Sequence, residues 1–435
     1  MISKRIAYFP FKILFIFLLF TEILLFIGPL HYDLELPLLL GVYLLILNLS
    51  LYLGYKRGIT KYKFHQSSTT INDVTIIKTF IILSLFVVSP MNLLVNWGLN
   101  SVSPGAIWEK FIEGLTNPAD VYLENLEFMQ KGLGGGGAIM HALLSFISFA
   151  AIPLGIVYWK SLSKTFHLFI FFLIFLEIVF WIGIGTRKGL LDILLITILM
   201  IIATNKQLLD DSKKRKKMLL GLIVFLALFM FYFIYSNLSR STVDLKDLNN
   251  IDIAVIGLDV KPFYENYVSP VIYIPLSSIT NYLCQGYYAL SCALKVSLEQ
   301  TVFTYGYGNN TFTMVLLENL FGYDYDYLLS QTYQGILDKK YAIHPTVNWH
   351  SLYVWLANDF TFFGVPIIIY FIGYLFSTTW LDTLTKSNLY SAPLFAFFAI
   401  MVFYAFANNQ VLSSSFMAFV IVFILYLTRK IKLTE

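Results

Sequence analysis

Charge is scarce in this chain, and cysteine scarcer still. Asp, Glu, Lys and Arg together make only 13% of its 435 residues, about half the share of a soluble globular domain. The formal net charge is +4, too small to mark a nucleic-acid-binding face. Only Cys284 and Cys292 are present. Eight residues apart on a helix, they lie about 12 Å from one another, beyond disulfide reach, and read as small buried hydrophobes. No CxxC pair or Cys/His cluster with zinc spacing occurs, so no metal is expected. No cofactor is expected either: Tyr307-Gly308-Asn309-Asn310-Thr311 opens no βαβ unit and is not a dinucleotide fingerprint. The apolar runs lack period-two alternation, which excludes a membrane barrel. An internal repeat is also missing, which weighs against an inverted-repeat transporter.

Apolar residues are what the chain has in abundance. They make up 58% of it, with 40 Phe and 29 Tyr, and they fall in runs long enough to cross a bilayer. About ten such runs are found, near 10–30, 37–55, 75–97, 138–159, 165–184, 189–204, 218–236, 361–380, 390–407 and 414–428. The first follows Lys4 and Arg5, exceeds a signal-peptide core in length and lacks a cleavage site, so it reads as a retained helix. Placing the N-terminus inside puts most Lys and Arg on the inner segments, including the run Lys213–Lys217, as the positive-inside rule requires.

The expected fold is therefore all-α: a polytopic integral membrane helical bundle of about ten transmembrane helices with a large helical extracytoplasmic loop. Residues 1–236 form an N-terminal bundle of seven helices, with an outer loop at about 98–137 that ends in the flexible glycine run Gly134–Gly137. Residues 237–360 form the large outer loop. Its 268–298 stretch is nearly apolar enough to enter the membrane, with Asn281, Gln285 and Lys295 interspersed, and is expected to be interfacial or re-entrant. If it spans, a second crossing near 311–321 restores parity. Residues 361–435 carry the last helices, and both termini are cytoplasmic.

Ionisable groups at membrane depth are candidates for function. Arg187 and Lys188 sit in Gly183-Ile184-Gly185-Thr186-Arg187-Lys188-Gly189, an outer turn where small residues would let a phosphate reach backbone N–H groups as well as the guanidinium. Asp192, four residues on, shares a helical face with Lys188. The plainer reading is a pair of interfacial cations that snorkel. Arg240 follows the seventh helix at similar depth, as a second cation or a helix-end anchor. His344 and His350 flank Pro345-Thr346-Val347-Asn348-Trp349, just before the eighth helix. A neutral imidazole there can take a proton from a sugar hydroxyl, and Asp359 can orient it. Glu22, Lys78, Glu177, His141 and His167 fall within or at the ends of helices and read as paired or helix-end groups. Asp33 and Glu35 occupy a first outer loop of about six residues, short for a metal site.

This arrangement resembles the oligosaccharide repeat-unit polymerases, the Wzy-type O-antigen and capsule polymerases of bacteria, and in layout the O-antigen ligases. The resemblance is carried by Gly185-Thr186-Arg187, by Arg240 just after its helix, and by His350…Asp359-Phe360…Gly364 leading into a helix. Where the family has a glycine after Asp-Phe, this chain has Thr361. The resemblance implies a glycosyltransferase at the outer face of the bacterial inner membrane. Its donor and acceptor would be undecaprenyl-pyrophosphate-linked glycans. Arg187, Lys188 and Arg240 would hold the pyrophosphate, and His350 or His344 would act as base. Membrane lipid and a chain-length regulator protein are the expected partners, and nucleic acid is not. A flippase and a ligase are the alternatives.

Overall fold

The computed structural model describes residues 2–63, 70–97, 103–130, 135–205, 259–345 and 348–432, with scattered positions between 211 and 232. It is all-helical, 81% helix with no strands among the described residues. A single isolated bridge, Leu30 to Val260, ties the first loop to the segment after residue 259. Among the described residues, five helices are long and apolar enough to cross a membrane: Phe9–Ile27, Pro37–Lys61, Ile71–Leu94, Lys164–Gly183 and Leu352–Thr385. Shorter apolar helices include Leu143–Val157, Thr311–Phe321 and Ser391–Phe403. At 11 residues, Thr311–Phe321 is about half the length a bilayer demands. Most of the run near 218–236, and all of Arg240, lie outside the described residues.

Helix pairing follows from small residues. A Cβ on Gly54 would collide with the Tyr370 carbonyl, one on Gly58 with the Ser377 hydroxyl, and one on Gly373 with the Leu51 carbonyl. The Pro37–Lys61 and Leu352–Thr385 helices therefore meet backbone to backbone, the packing that spaced small residues allow in membranes. Tyr55 Oη donates to the Ala7 carbonyl at 2.7 Å, and Trp380 Nε1 to the Ile6 carbonyl at 3.0 Å, which moors the N-terminal segment to the same pair. In the Ile71–Leu94 span, Pro90 has no N–H to offer the preceding turn. The chain widens into a π turn at Ser84–Val88, closed by the Ser89 N–H on the Ser84 carbonyl.

The Leu352–Thr385 helix is broken at Thr361, whose φ of 53° and ψ of 164° are not helical. The expected crossing at 361–380 begins at this break, and the preceding turns, Leu352–Phe360, form a separate buried piece. Pro366 cannot donate to the Phe362 carbonyl four residues earlier; Tyr43 Oη donates to it instead, at 2.8 Å.

The two poles of the bundle differ. At one, Asp382 accepts from Tyr62 Oη (2.8 Å), Ser387 Oγ (2.7 Å) and Tyr426 Oη (2.6 Å). Lys430 stands 3.5 Å from the same carboxylate, and Arg429 pairs with Asp73 at 2.6 Å. At the other pole, Lys261 Nζ and Tyr264 Oη cap the last carbonyls of Phe9–Ile27, both at 2.8 Å. The 30-residue Pro270–Glu299 helix packs there. Thr280 lies against Gly28, Tyr287 Oη bonds Thr21 Oγ1 at 3.0 Å, and Leu36 N–H donates to Ser291 at 3.4 Å. Residues Gly135–Gly137 are not a hinge: they form the first turn of the Gly135–Val157 helix.

Candidate functional site

Arg187 occupies the N-cap position of the Lys188–Thr204 helix and is 7% exposed. The expected Lys188–Asp192 pair forms, at 3.4 Å. The glycines around it serve a purpose other than the one expected from sequence. Gly185 adopts φ +67°, and a Cβ there would stand 2.8 Å from the Pro118 carbonyl. A Cβ on Gly183 would strike the Trp97 ring and one on Gly189 the Trp181 ring. The small residues admit protein, not phosphate. The backbone N–H groups of Gly185 and Thr186 are likewise taken, by the carbonyls of Ile182 (2.9 Å) and Trp181 (3.1 Å). The side chains of the turn are the Arg187 guanidinium, Lys188 in its pair with Asp192, and the Thr186 hydroxyl, which has no protein partner among the described residues.

The histidine segment is equally buried. His350 is 1% exposed, and neither ring nitrogen makes a hydrogen bond of good geometry among the described residues, the His344 backbone standing nearby. Burial pulls its imidazole down to about 4; the His344 ring adds to this and the His344 backbone opposes it. His350 is thus neutral at physiological pH, able to accept a proton. His344 is exposed, and its N–H donates to Asn348 Oδ1 at 2.6 Å to close a turn.

Asp359 does not orient His350. Its Oδ1 accepts from Thr304 Oγ1 (2.5 Å) and the Gly306 N–H (2.7 Å), and its Oδ2 has no partner among the described residues. The carboxylate sits about two turns along the helix from the imidazole, which is why it turns to the 304–306 loop. Asp33 and Glu35 lie near Tyr288 and Cys292, and Glu35 also near Tyr341. Other polar groups pair as expected: Glu22 with Asn48 at 2.8 Å, Glu177 with Ser148 at 3.3 Å, and His167 stacked on Trp159.

Residues that the sequence did not single out join these segments. Tyr404 Oη donates to the Lys188 carbonyl at 3.3 Å. The next carbonyl, Ala405, accepts from the Leu352 N–H at 3.0 Å, two residues after His350. Trp349 N–H donates to Gln285 Oε1 at 2.6 Å, and the Trp349 ring packs edge-on against Tyr282. A Cβ on Gly286 would meet the carbonyls of Phe406 and Ala407 and the Ser351 nitrogen. The arginine turn, the histidine loop, the 404–407 turn and the Pro270–Glu299 helix are thereby stitched into one unit.

Asn358, fully buried, is the organiser of the loop below. Its Oδ1 accepts from the Tyr333 N–H at 2.9 Å, and its Nδ2 donates to the Gly308 carbonyl (2.7 Å) and Gln334 Oε1 (2.9 Å). No sequence spacing marks Tyr404, Gln285 or Asn358, because each acts through tertiary contacts. No family model, no curated protein and no solved structure matches this chain.

Proposed function

We propose that this chain is a membrane glycosyltransferase that polymerises undecaprenyl-pyrophosphate-linked oligosaccharide repeat units at the outer face of the bacterial cell membrane. An acceptor sugar hydroxyl attacks the donor's anomeric carbon. The carbon–oxygen bond to the pyrophosphate breaks, and its electron pair leaves with the phosphate oxygen. Arg187, backed by Lys188, stabilises that leaving charge, the role of cations fixed before the reaction. Arg240 is the second cation proposed. His350 takes the proton from the attacking hydroxyl and returns it to water, with His344 as the substitute base. Membrane lipid surrounds the bundle, a chain-length regulator is the proposed protein partner, and no cofactor takes part.

What supports this reading is one observation: a buried, neutral histidine and a buried arginine turn, far apart in sequence, are fastened to consecutive residues, Tyr404 and Ala405. An enzyme that removes a proton at one atom and steadies an anion at another needs such a pairing.

The test is gene deletion with complementation, read on glycan gels. Deletion should leave single repeat units in place of a ladder. Loss of surface attachment would indicate a ligase instead, and accumulation of inward-facing lipid-linked units a flippase. Arg187→Ala should abolish the ladder while the protein still inserts, and Arg187→Lys should fail too, since an ammonium lacks the planar fork. A normal ladder from the Arg187→Ala variant refutes the phosphate-binding role.

A further inference from the structure

We infer that Ser351, Trp355 and Asp359, with Asn409 from a flanking segment, form the subsite that holds the sugar hydroxyls of the glycan. This rests on the glycan-transfer reading above and assigns its sugar-recognising residues.

The three residues are spaced four apart, so they share one face of the Leu352–Phe360 piece along about 12 Å of axis. All are at least 95% buried, and each has a polar atom without a partner among the described residues: Ser351 Oγ, Trp355 Nε1 and Asp359 Oδ2. Folded proteins satisfy nearly all buried polar atoms, and a buried indole N–H usually finds an acceptor. Three orphans in line on one face is not ordinary packing. Ser351 sharpens the point. It stands at the helix N-cap, where a serine hydroxyl normally accepts from the first turn, yet it makes no such bond.

Two segments flank the piece, one at each end. At its start, the Leu352 N–H is held by the Ala405 carbonyl. At its end, Thr304 and Gly306 grip the other oxygen of Asp359. The two flanking segments are themselves joined, by Asn409 Nδ2 donating to the Asn309 carbonyl. Asn409 is 0% exposed, and its Oδ1 also lacks a partner. His350 directly precedes Ser351, so the proposed base belongs to the same segment as the start of this face.

The chemistry of the free atoms selects the ligand. Trp355 Nε1 only donates, Asp359 Oδ2 and Asn409 Oδ1 only accept, and the Ser351 hydroxyl does both. A phosphate brings acceptors alone and is repelled by the carboxylate. A bare cation has no use for an indole N–H. A lipid tail needs none of these groups. A run of sugar hydroxyls, each giving and taking a hydrogen bond, matches them all.

The experiment uses the full chain in detergent, with Ser351→Ala and Trp355→Phe. Each change deletes one orphaned atom and keeps the surrounding shape. The probes are the repeat-unit oligosaccharide released from the host's own surface glycan and, for comparison, inorganic pyrophosphate. Each variant should weaken oligosaccharide binding about tenfold, the effect of one lost hydrogen bond, and leave pyrophosphate binding unchanged. The thermal midpoint without ligand should hold or rise, because a buried donor with no partner is a burden on the free fold. Unchanged oligosaccharide binding in both variants overturns the inference, as does failure of the wild type to bind. A lowered midpoint in both means the atoms serve the fold through internal water only, which also overturns it. The two readings can fail separately. A ladder lost in Arg187→Ala with oligosaccharide binding unchanged in both subsite variants would sink this inference and spare the polymerase reading. Oligosaccharide binding through this face with a normal ladder after gene deletion would do the reverse.

Discussion

Thr361 should gain stability when replaced with glycine. Its φ of 53° and ψ of 164° fall where a β-branched side chain is strained and glycine is at ease. Holding a non-glycine residue in such a conformation costs about 1–3 kcal/mol. Glycine gives back about 0.5–1 kcal/mol through the extra freedom of its unfolded chain. The net gain from Thr361→Gly is then about 1–2 kcal/mol. In a chain of this size unfolding as a unit, that raises the thermal midpoint by about 1–2 °C. Thr361→Ala is the control, since it removes the branch but keeps the Cβ, and should recover little. The Tyr43–Phe362 bond involves no Thr361 atom and should persist in both. The assay is thermal unfolding in detergent, repeated as a denaturant series. A glycine variant no more stable than the alanine one would refute the reasoning, because it would mean the backbone there carries no strain.

Three further outcomes are expected. Gly286→Ala should push the Pro270–Glu299 helix off the 404–407 turn, costing about 1–3 kcal/mol by overpacking; the thermal midpoint and glycan ladder should fall together, and an unaltered ladder would contradict the packing. Asn358→Leu leaves the Tyr333 N–H and Gly308 carbonyl buried and unpaired, a cost of about 3 kcal/mol or more; it should speed trypsin cleavage at Lys339 and Lys340, and an unchanged digest would argue against its organising role. His350 is held below its ordinary value, at about 4, so the unfolded chain takes up a proton first as pH falls. The stability tied to its neutral form is full above about pH 6.5 and is lost on the way to pH 4, about 3 kcal/mol in all. His350→Gln should therefore lose less stability than the wild type between pH 7 and 4.5, and equal losses would show that the imidazole is not the group responsible.

Much of the architecture is legible in the sequence, because a bilayer demands long apolar runs. The runs near 10–30, 37–55 and 165–184 correspond to helices long and apolar enough to cross. The Lys188–Asp192 spacing foretells a pair that forms. Other features are legible only as anomalies. The absent glycine at Thr361 is a departure from a motif until the backbone shows that the position needs a positive φ. The glycines of 183–189 mark close approach, but sequence cannot say what approaches, and here it is Trp97, Pro118 and Trp181. Tyr404, Asn358, Trp355 and Asn409 leave no trace, since a polar residue inside an apolar helix looks alike whether it meets a neighbour or a ligand. Sequence spacing pairs Asp359 with the nearest histidine along the chain, whereas the fold gives it to a loop over fifty residues away.

The carboxylate of Asp382 gathers three hydroxyls and an ammonium where the helices end, and Arg429 is bolted to Asp73 close by. Those bonds cinch the bundle at the pole remote from the histidine. Under the proposed function, a lengthening strand finds that base sealed and must travel outward from the mouth where each unit is added, so elongation and export share a single doorway.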